Sequence, residues 1–244
     1  MNPVLILTHN CLELTKRCIE SIRAQDTSDV KIFVLDNGST DGTIDWIYSQ
    51  KDIYTFLRLE NDGVSAGWNR LLGILFHCKP HGLHKAGWCA EHVLVVNNDT
   101  ILAPWTYRKM LEYDAPFVTG VSYTDLDAVM SSENMGSGPT PGPDFSCFLI
   151  RRDCWENVGP FDENMVHYCS DVDYDIRARK AGIMLQNSHI KFYHERSSTI
   201  RLSPDCAAIH EQSAKDHEAF RAKYGVLPGQ PGYERIWQVN ELAK

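Results

Sequence analysis

Short apolar runs that each end in polar residues alternate with helical patterns through the first hundred residues, and this alternation constrains the fold most strongly. The runs have the length of buried strands, and the segments between them have the length of helices. Strands that are apolar along nearly their whole length are typical of a parallel sheet covered on both faces. The sequence therefore predicts an α/β fold with a mostly parallel sheet flanked by helices. The predicted strands are Val4–Leu7, Val30–Leu35, Tyr54–Leu59 and Val93–Val96, and the predicted helices are Cys11–Gln25, Thr43–Ser49 and Trp68–Phe76.

The second half of the chain has a less regular pattern. A Gly-, Pro- and Ser-rich stretch, Ser131–Pro143, is predicted to form a long loop of the kind that often acts as a lid. The strands predicted in this half are Phe117–Val121, Phe145–Ile150 and Ile190–Tyr193, and the predicted helices are Ser170–Lys180 and Cys206–Lys223.

Charge and cysteine usage narrow the class of protein. The formal net charge of −8 weighs against nonspecific nucleic-acid binding but is compatible with a local basic groove. No apolar run approaches the length of a transmembrane helix, and the N-terminus has no signal-peptide pattern. The eight cysteines form no regular framework. We therefore expect free thiols, a reducing compartment and cytoplasmic localisation.

Two polar loops follow the second and third predicted strands. Asp36–Gly42 places a carboxylate at a strand end, where it can accept hydrogen bonds from a base or a ribose, and its glycines allow a tight turn. Asn61–Asn69 has small residues before a predicted helix, which suits a nucleotide or a phosphate. Each loop alone is equally compatible with an ordinary connection. Together they predict a ligand crevice at the carboxyl ends of the strands.

A third polar segment, Asn97–Thr100, follows the most apolar of the predicted strands. Its carboxylate and amide oxygens suit Mg²⁺ or Mn²⁺, which prefer oxygen ligands and also bind diphosphate oxygens. The alternative is a polar strand end in which Asp99 serves as a turn or cap residue.

A fourth polar segment, Ser170–Arg177, begins a predicted helix. Ser170 and Asp173 fit a capping box, and Asp173 has the i, i+4 spacing for an ion pair with Arg177. A carboxylate at a helix start that faces a cleft is also well placed as a general base. We interpret Asp173 as structural and Asp171 as the functional carboxylate.

Histidines and cysteines gather before the fourth predicted strand. Their spacing fits no standard zinc site, and they include no CxxC pair. We interpret residues 77–92 as a surface insertion rather than a zinc site. The residues in question are His77, Cys78, His81, His84, Cys89 and His92.

Taken in this order, the motifs resemble those of the family 2 glycosyltransferases of GT-A fold, notably the rhamnosyltransferase-like branch. The resemblance implies a Rossmann-like α/β fold with a mixed, mostly parallel sheet. It implies one GT-A domain over residues 1–225, with a nucleotide-binding half (1–100), an acceptor and catalytic half (101–205) and a C-terminal helix (206–225), followed by a tail (226–244). The segments that carry it are Pro3–Asn10, Leu35–Gly42, Asn61–Asn69, Val96–Thr100, Phe161–Glu163, Ser170–Gly182 and Phe220–Gly225.

The resemblance also implies an activity and roles for individual residues. A hexose or deoxyhexose moves from a UDP-, dTDP- or GDP-linked donor to an acceptor hydroxyl, with inversion and with Mn²⁺ or Mg²⁺ as cofactor. Asp171 matches the general base, and Asp99 and His194 match metal ligands. The residues that match the nucleotide site are Thr8, Asn10, Asp36, Gly67, Asn69 and Asn97.

Two departures from the family pattern leave alternatives open. Ser170 replaces the Glu that usually precedes the base, which favours a non-catalytic nucleotide- or sugar-binding protein. The insertion Cys78–Glu91 has no clear counterpart. A nucleotidyltransferase is a further alternative, although the basic glycine-rich signature of that class is absent. The expected acceptor is a glycan, and the minority alternative is a nucleic acid such as a modified nucleobase in DNA. The oligomeric state stays open.

Overall fold

The computed structural model describes residues 1–77, 88–133, 142–195 and 206–238. Within these ranges, eight strands form one mixed sheet and helices cover both of its faces. The strands are β1 (Asn2–Thr8), β2 (Val30–Asn37), β3 (Ile53–Arg58), β4 (His92–Asn97), β5 (Thr100–Leu102), β6 (Phe117–Tyr123), β7 (Cys147–Arg151) and β8 (Gln186–His194). The helices are α1 (Leu12–Arg23), α2 (Thr43–Ser49), α3 (Gly63–Phe76), α4 (Thr106–Leu111), α5 (Leu126–Met130), α6 (Arg152–Val158), α7 (Ser170–Lys180), α8 (Cys206–Tyr224) and α9 (Arg235–Gln238).

The sheet has the order β3-β2-β1-β4-β7-β6-β8-β5 and changes direction at β7. The four strands from β3 to β4 run parallel to one another. β7 is antiparallel to both β4 and β6, whereas β8 is parallel to β6 and antiparallel to β5. The predicted mixed sheet is confirmed. Because β7 runs opposite to β4, the start of β7 lies beside the end of β4, at the carboxyl edge of the parallel strands.

Buried apolar side chains cover both faces of the sheet. Along β1, Leu5 packs on one face while Val4 and Ile6 pack on the other, because side chains alternate along a strand. The first face packs against α3, α6 and α7, and the second packs against α1, α2 and α4. Burial on both sides explains why the runs that predict β1 and β4 are apolar almost throughout.

Most predicted elements are present, with ends that differ by a few residues. The helices Thr43–Ser49 and Ser170–Lys180 have the predicted bounds. Helix α3 begins at Gly63 instead of Trp68, because the small residues interpreted as a loop form its first turn. The short elements β5, α4, α5 and α6 have too few residues for a periodic pattern and were not predicted. Residues 134–141 of the predicted loop lie outside the described residues.

The C-terminal part packs against α7 rather than against the sheet. Phe220 of α8 is buried together with Met165 and Ile176, and Tyr233 and Ile236 pack against the same cluster. The predicted C-terminal helix is confirmed as α8. The predicted tail contains the short helix α9 and contributes to this small core.

The prediction that all cysteines are free thiols is wrong at Cys89, which is disulfide-bonded. The free cysteines of the described ranges are Cys11, Cys18, Cys147, Cys154, Cys169 and Cys206. Of the residues weighed as zinc ligands, Cys78, His81 and His84 lie outside the described residues. His92 lies in β4, where its Nε2 contacts Asn2 Oδ1 at 3.1 Å. Within the described ranges, no helix is both long and apolar enough to cross a membrane.

Candidate active site

A cavity of about 650 Å³ opens where β1 and β4 end and β7 begins. Helix α3 contributes Gly63, Val64 and Trp68 to its wall, and α7 contributes Ser170 and Asp171. This is the edge of the sheet where the sequence predicts the polar motifs to meet. The predicted site residues that line the cavity are Thr8, Asn97, Asp99, Asp171 and His194.

Asp99 and His194 are brought together by the pairing of two strands. Thr100 of β5 lies opposite His194 of β8, and the Glu195 N–H donates to the Asp99 carbonyl at 3.2 Å. This register places His194 Nε2 at 3.3 Å from Asp99 Oδ1. Asp99 is only 6% exposed. Carboxylate oxygen and imidazole nitrogen are both ligands that Mn²⁺ accepts.

The ends of β1 and β4 are joined by polar contacts at the cavity wall. The Asn98 amide donates to Thr8 Oγ1 at 3.2 Å and to Thr15 Oγ1 at 3.1 Å, and the two hydroxyls lie 2.8 Å apart. The Asn97 N–H donates to the Ser146 carbonyl at 2.9 Å, which ties the end of β4 to the start of β7. Asn98 therefore joins the ends of these strands and also lines the cavity, between Asn97 and Asp99.

Asp171 lies in the first turn of α7 and lines the cavity. The helix follows Cys169, which has a left-handed conformation with φ 64°. Ser170 is the first helical residue, and no side chain caps the helix, so the predicted capping box is wrong. The left-handed turn at Cys169 leads the chain directly into the helix.

Asp173 has the structural role that the sequence predicts. It is fully buried and accepts a hydrogen bond from Arg177 Nε at 2.7 Å, in the predicted i, i+4 pair. Lys223 Nζ and the Tyr224 hydroxyl of α8 also lie 2.7 Å from this carboxylate. Asp173 thus joins α7 to α8, while Asp171, two residues earlier, faces the cavity.

Burial raises the pKa of Asp171 above the ordinary value for an aspartate. The nearby carboxylates of Asp144 and Asp175 raise the pKa further, whereas the Val172 N–H, which donates to Asp171 Oδ1 at 2.8 Å, opposes the increase. A carboxylate with a raised pKa holds a proton more firmly. It is therefore a stronger base than an ordinary aspartate.

Asp36 lies in β2 and Asn10 in the loop after β1, and neither residue lines the cavity. Asn10 Oδ1 accepts from the Thr40 N–H at 2.8 Å, and Asp36 Oδ1 accepts from the Ser39 N–H at 2.8 Å. Asp36 Oδ2 is buried and has no hydrogen-bond partner in the described part of the chain. A buried acceptor without a donor is costly, but Asp36 does not line the cavity, so its role toward a nucleotide stays a prediction.

Gly67 and Asn69 do not line the cavity. Gly67 packs against the Leu7 side chain, where an added Cβ would lie 2.8 Å from Leu7 Cδ2. The Asn69 amide donates to the Phe161 carbonyl at 2.9 Å, and its oxygen accepts from the Phe161 N–H at 2.8 Å. Both residues support the wall from behind, and their roles toward a nucleotide stay predictions.

Asp144 and His167 are among the ionisable residues of the wall to which the sequence analysis gave no role. Asp144 precedes β7, and its Oδ1 accepts from the Ser146 N–H at 2.9 Å. Burial, together with nearby His9, lowers the pKa of His167, although Asp216 opposes this effect. Neither residue follows a predicted strand, so the strand-end pattern gave no signal for them.

The cavity wall carries negative charge. Asp99, Asp144 and Asp171 line it, and no Lys or Arg stands among its lining residues in the described ranges. Within the same ranges, no group of three His, Cys, Asp or Glu side chains could hold a metal ion. These carboxylates repel an anionic ligand unless positive charge lies beside it.

Gly63 allows α3 to approach the loop that precedes α7. It has a φ of 87°, and an added Cβ would contact Val166 Cγ1 and lie 2.7 Å from the Val166 carbonyl oxygen. The same oxygen accepts a hydrogen bond from the Val64 N–H at 2.8 Å. The close contact of helix and loop therefore depends on a residue without a side chain.

Gly63→Ala is expected to lower the free energy of unfolding by about 2–4 kcal/mol, through left-handed strain and overpacking against Val166. Urea unfolding would measure the change. Gly73→Ala is the matched control in the same helix. No atom lies within 4 Å of the added Cβ at Gly73, so this change is expected to stabilise by about 0.5–1 kcal/mol. Equal effects of the two substitutions would contradict the packing argument.

Solved glycosyltransferases share this fold. A mannosyltransferase from Pyrobaculum calidifontis, solved with GDP-Man and Mn²⁺, is similar with a TM-score of 0.60 and 19% identity, over 98% of this chain and 68% of that chain. S. aureus TarS 1–349, solved with UDP, is similar with a TM-score of 0.58 and 13% identity, over 96% of this chain and 75% of that chain. The chain therefore has the GT-A fold of glycosyltransferases.

Sequence similarity points to the family within this class. Residues 4–75 match the family model described as Glycosyl transferase family 2. The N-acetylglucosaminyl-diphospho-decaprenol L-rhamnosyltransferase of Mycobacterium tuberculosis is 24% identical over 254 aligned positions, which cover 86% of this chain and 81% of that protein. The predicted resemblance to family 2 glycosyltransferases of GT-A fold is confirmed.

Proposed function

We propose that this chain transfers a sugar from a nucleoside-diphosphate sugar to an acceptor hydroxyl. The observation that carries the proposal is that the Asp99–His194 pair and the Asp171 carboxylate line the same cavity. The reaction needs one group of residues that receives the diphosphate and a base that faces the acceptor. In this proposal residues 1–100 bind the donor nucleotide and residues 101–205 supply the base.

Asp99 and His194 would hold a divalent cation, Mn²⁺ or Mg²⁺. A buried carboxylate oxygen 3.3 Å from an imidazole nitrogen fits such an ion and leaves further coordination positions for diphosphate oxygens. When bound, the cation supplies positive charge that stabilises the departing diphosphate. The negative wall supports the metal dependence, because three carboxylates would otherwise repel the diphosphate.

Asp171 is the general base of the proposed reaction. Its carboxylate accepts the proton of the acceptor hydroxyl while the hydroxyl oxygen bonds to the anomeric carbon and the bond to the nucleoside diphosphate breaks. The raised pKa of Asp171 supports this role. The resemblance to the family supports a single displacement with inversion. Asp99 and Asp171 lie beyond the matched residues 4–75, so the cavity geometry is their main support.

Relatives and the cavity wall together indicate the classes of substrate. One structural neighbour was solved with GDP-Man and another with UDP, and the M. tuberculosis relative is an L-rhamnosyltransferase. We infer a UDP-, dTDP- or GDP-linked hexose or deoxyhexose as donor and a glycan hydroxyl as acceptor. The negative wall supports a glycan over a nucleic acid, since carboxylates repel phosphate groups.

Calorimetric titration with UDP, dTDP, GDP and CDP, each with and without Mn²⁺, tests the proposal. One nucleotide is expected to bind at least about tenfold more tightly with Mn²⁺, because a cation between the wall carboxylates and the diphosphate offsets their repulsion. Failure of every nucleotide to bind under both conditions would refute the proposal. Turnover of the matching nucleotide sugar with a glycan acceptor then separates a transferase from the non-catalytic binding protein that Ser170 favours.

A further inference from the structure

We propose that Asp216 of helix α8 is a positioning residue for the base, acting through residues 166–168, here called the base loop. The inference rests on the proposed function, because it assigns to Asp216 the task of holding Asp171 in its reactive position. The two residues are far apart in sequence and belong to different helices. The contacts between them run through the backbone of the base loop.

Asp216 binds three consecutive backbone N–H groups of the base loop. Its Oδ1 accepts from the Val166 N–H at 3.0 Å, and its Oδ2 accepts from the His167 N–H at 2.8 Å and the Tyr168 N–H at 2.9 Å. Gln212, one turn earlier on α8, donates to Oδ1 at 2.8 Å. The side chain is fully buried, so these hydrogen bonds replace its entire solvation.

The opposite side of the base loop is held by α3. The Val64 N–H donates to the Val166 carbonyl at 2.8 Å, and Ser65 Oγ donates to the Met165 carbonyl at 2.6 Å. The base loop is therefore held between two helices. Its N–H groups are hydrogen-bonded to α8, and the carbonyls of Val166 and of the preceding Met165 are hydrogen-bonded to α3. The left-handed residue Cys169 and the helix that carries Asp171 follow directly.

Helix α8 also contacts the cavity and α7 at other points. Ile209 lines the cavity, and Lys223 and Tyr224 bind the Asp173 carboxylate on α7. Asp216 lies between these residues on α8, and its carboxylate binds the base loop that precedes Asp171. The predicted C-terminal helix thus forms part of the scaffold of the site.

Asp216→Asn tests the proposal, because an asparagine keeps one acceptor but turns an NH₂ group toward the N–H groups of the base loop. In the Mn²⁺-loaded protein with its donor and acceptor, kcat is expected to fall about tenfold to a hundredfold, since misplacement of a base by about 1 Å has that effect. The KM for the donor is expected to stay within about twofold, because the Asp99–His194 side is untouched.

The pH profile of kcat separates positioning from general destabilisation. A loosened base loop admits water to Asp171, so its pKa moves down toward the ordinary value and the acidic limb shifts to lower pH. Within the described ranges, the titratable groups that face Asp171 are Asp144, Asp175, Cys169 and Tyr233, and none of them is substituted in this variant. Loss of the Asp216 charge lowers the pKa of Cys169 and of His167. Glu218→Gln, which removes one charge from the exposed face of α8, should leave kcat and the pH profile unchanged.

Ser65→Ala keeps the inference testable if Asp216→Asn fails to fold. It loosens the base loop from the α3 side, so a smaller fall in kcat, about threefold to tenfold, with the same direction of pH shift is expected. Unchanged kcat and pH profile in the folded variants, with an active wild type, would overturn the role of Asp216. An equal loss of donor binding and kcat would also overturn it. A wild type without turnover would instead refute the proposed function.

Discussion

Asp171→Asn is expected to lower the rate of sugar transfer by about 10²–10⁴-fold while the nucleotide affinity in the presence of Mn²⁺ stays unchanged. The range is the usual contribution of a general base. Asparagine has nearly the same shape as aspartate but cannot accept a proton, and Asp171 takes no part in the Asp99–His194 pair. Single-turnover transfer with a saturating donor, together with calorimetry of the nucleotide, would measure both quantities.

The same substitution is expected to stabilise the protein by about 1 kcal/mol at neutral pH. Because the folded state raises the pKa of Asp171, ionisation of this group opposes folding once the pH exceeds its ordinary value. Asparagine removes that cost. In the wild type, the acidic limb of the pH–rate profile should lie above the ordinary aspartate value of about 4, because a base with a raised pKa loses its proton at higher pH.

Asp173→Asn is the matched contrast on the same helix. Its carboxylate is fully buried and binds Arg177, Lys223 and Tyr224, so the neutral asparagine breaks two ion pairs of a buried charge and weakens the hydrogen bond from the Tyr224 hydroxyl. A loss of about 3–5 kcal/mol in the free energy of unfolding is expected. Transfer by Asp171→Asn at the wild-type rate would remove Asp171 as the base, whatever the stability of either variant.

The strand-end motifs were predictable because parallel strands place all their carboxyl ends at one edge. Thr8, Asn97 and Asp99 follow apolar runs and line the cavity as the sequence indicates. Asp144 was not predictable in this way, since it precedes a strand. The start of β7 lies at this edge because β7 runs antiparallel to β4. An apolar run predicts a strand but not the direction in which the strand runs in the sheet.

The predicted start of α3 is wrong because its first turn contains glycines. Small residues and a low helix propensity indicate a loop at Asn61–Gly67, yet the helix begins at Gly63. The contact of Gly63 with Val166, more than a hundred positions later, selects glycine there. Asp216 was missed for a similar reason. Its partners are backbone N–H groups of a distant loop, and every residue except proline has such a group, so the sequence does not reveal the contact.

Asp99→Ala is expected to weaken Mn²⁺-dependent nucleotide binding about a hundredfold, which corresponds to ~2.7 kcal/mol. Asp99 supplies the carboxylate of the Asp99–His194 pair, and the described part of the cavity wall offers no Lys or Arg that could replace a cation beside the diphosphate. Calorimetric titration of the preferred nucleotide, with and without Mn²⁺, measures the loss. Binding without Mn²⁺ should be weak in both proteins.

Asp144→Asn is the control for charge, because Asp144 lines the same cavity but is not part of the Asp99–His194 pair. It removes one negative charge and keeps an oxygen that can accept from the Ser146 N–H. Nucleotide binding with Mn²⁺ should be unchanged or slightly tighter in this variant, since repulsion of the diphosphate decreases. Wild-type affinity in Asp99→Ala would exclude Asp99 as a ligand, whereas equal losses in both variants would mean that the charge of the wall, and not a cation held at Asp99, controls binding.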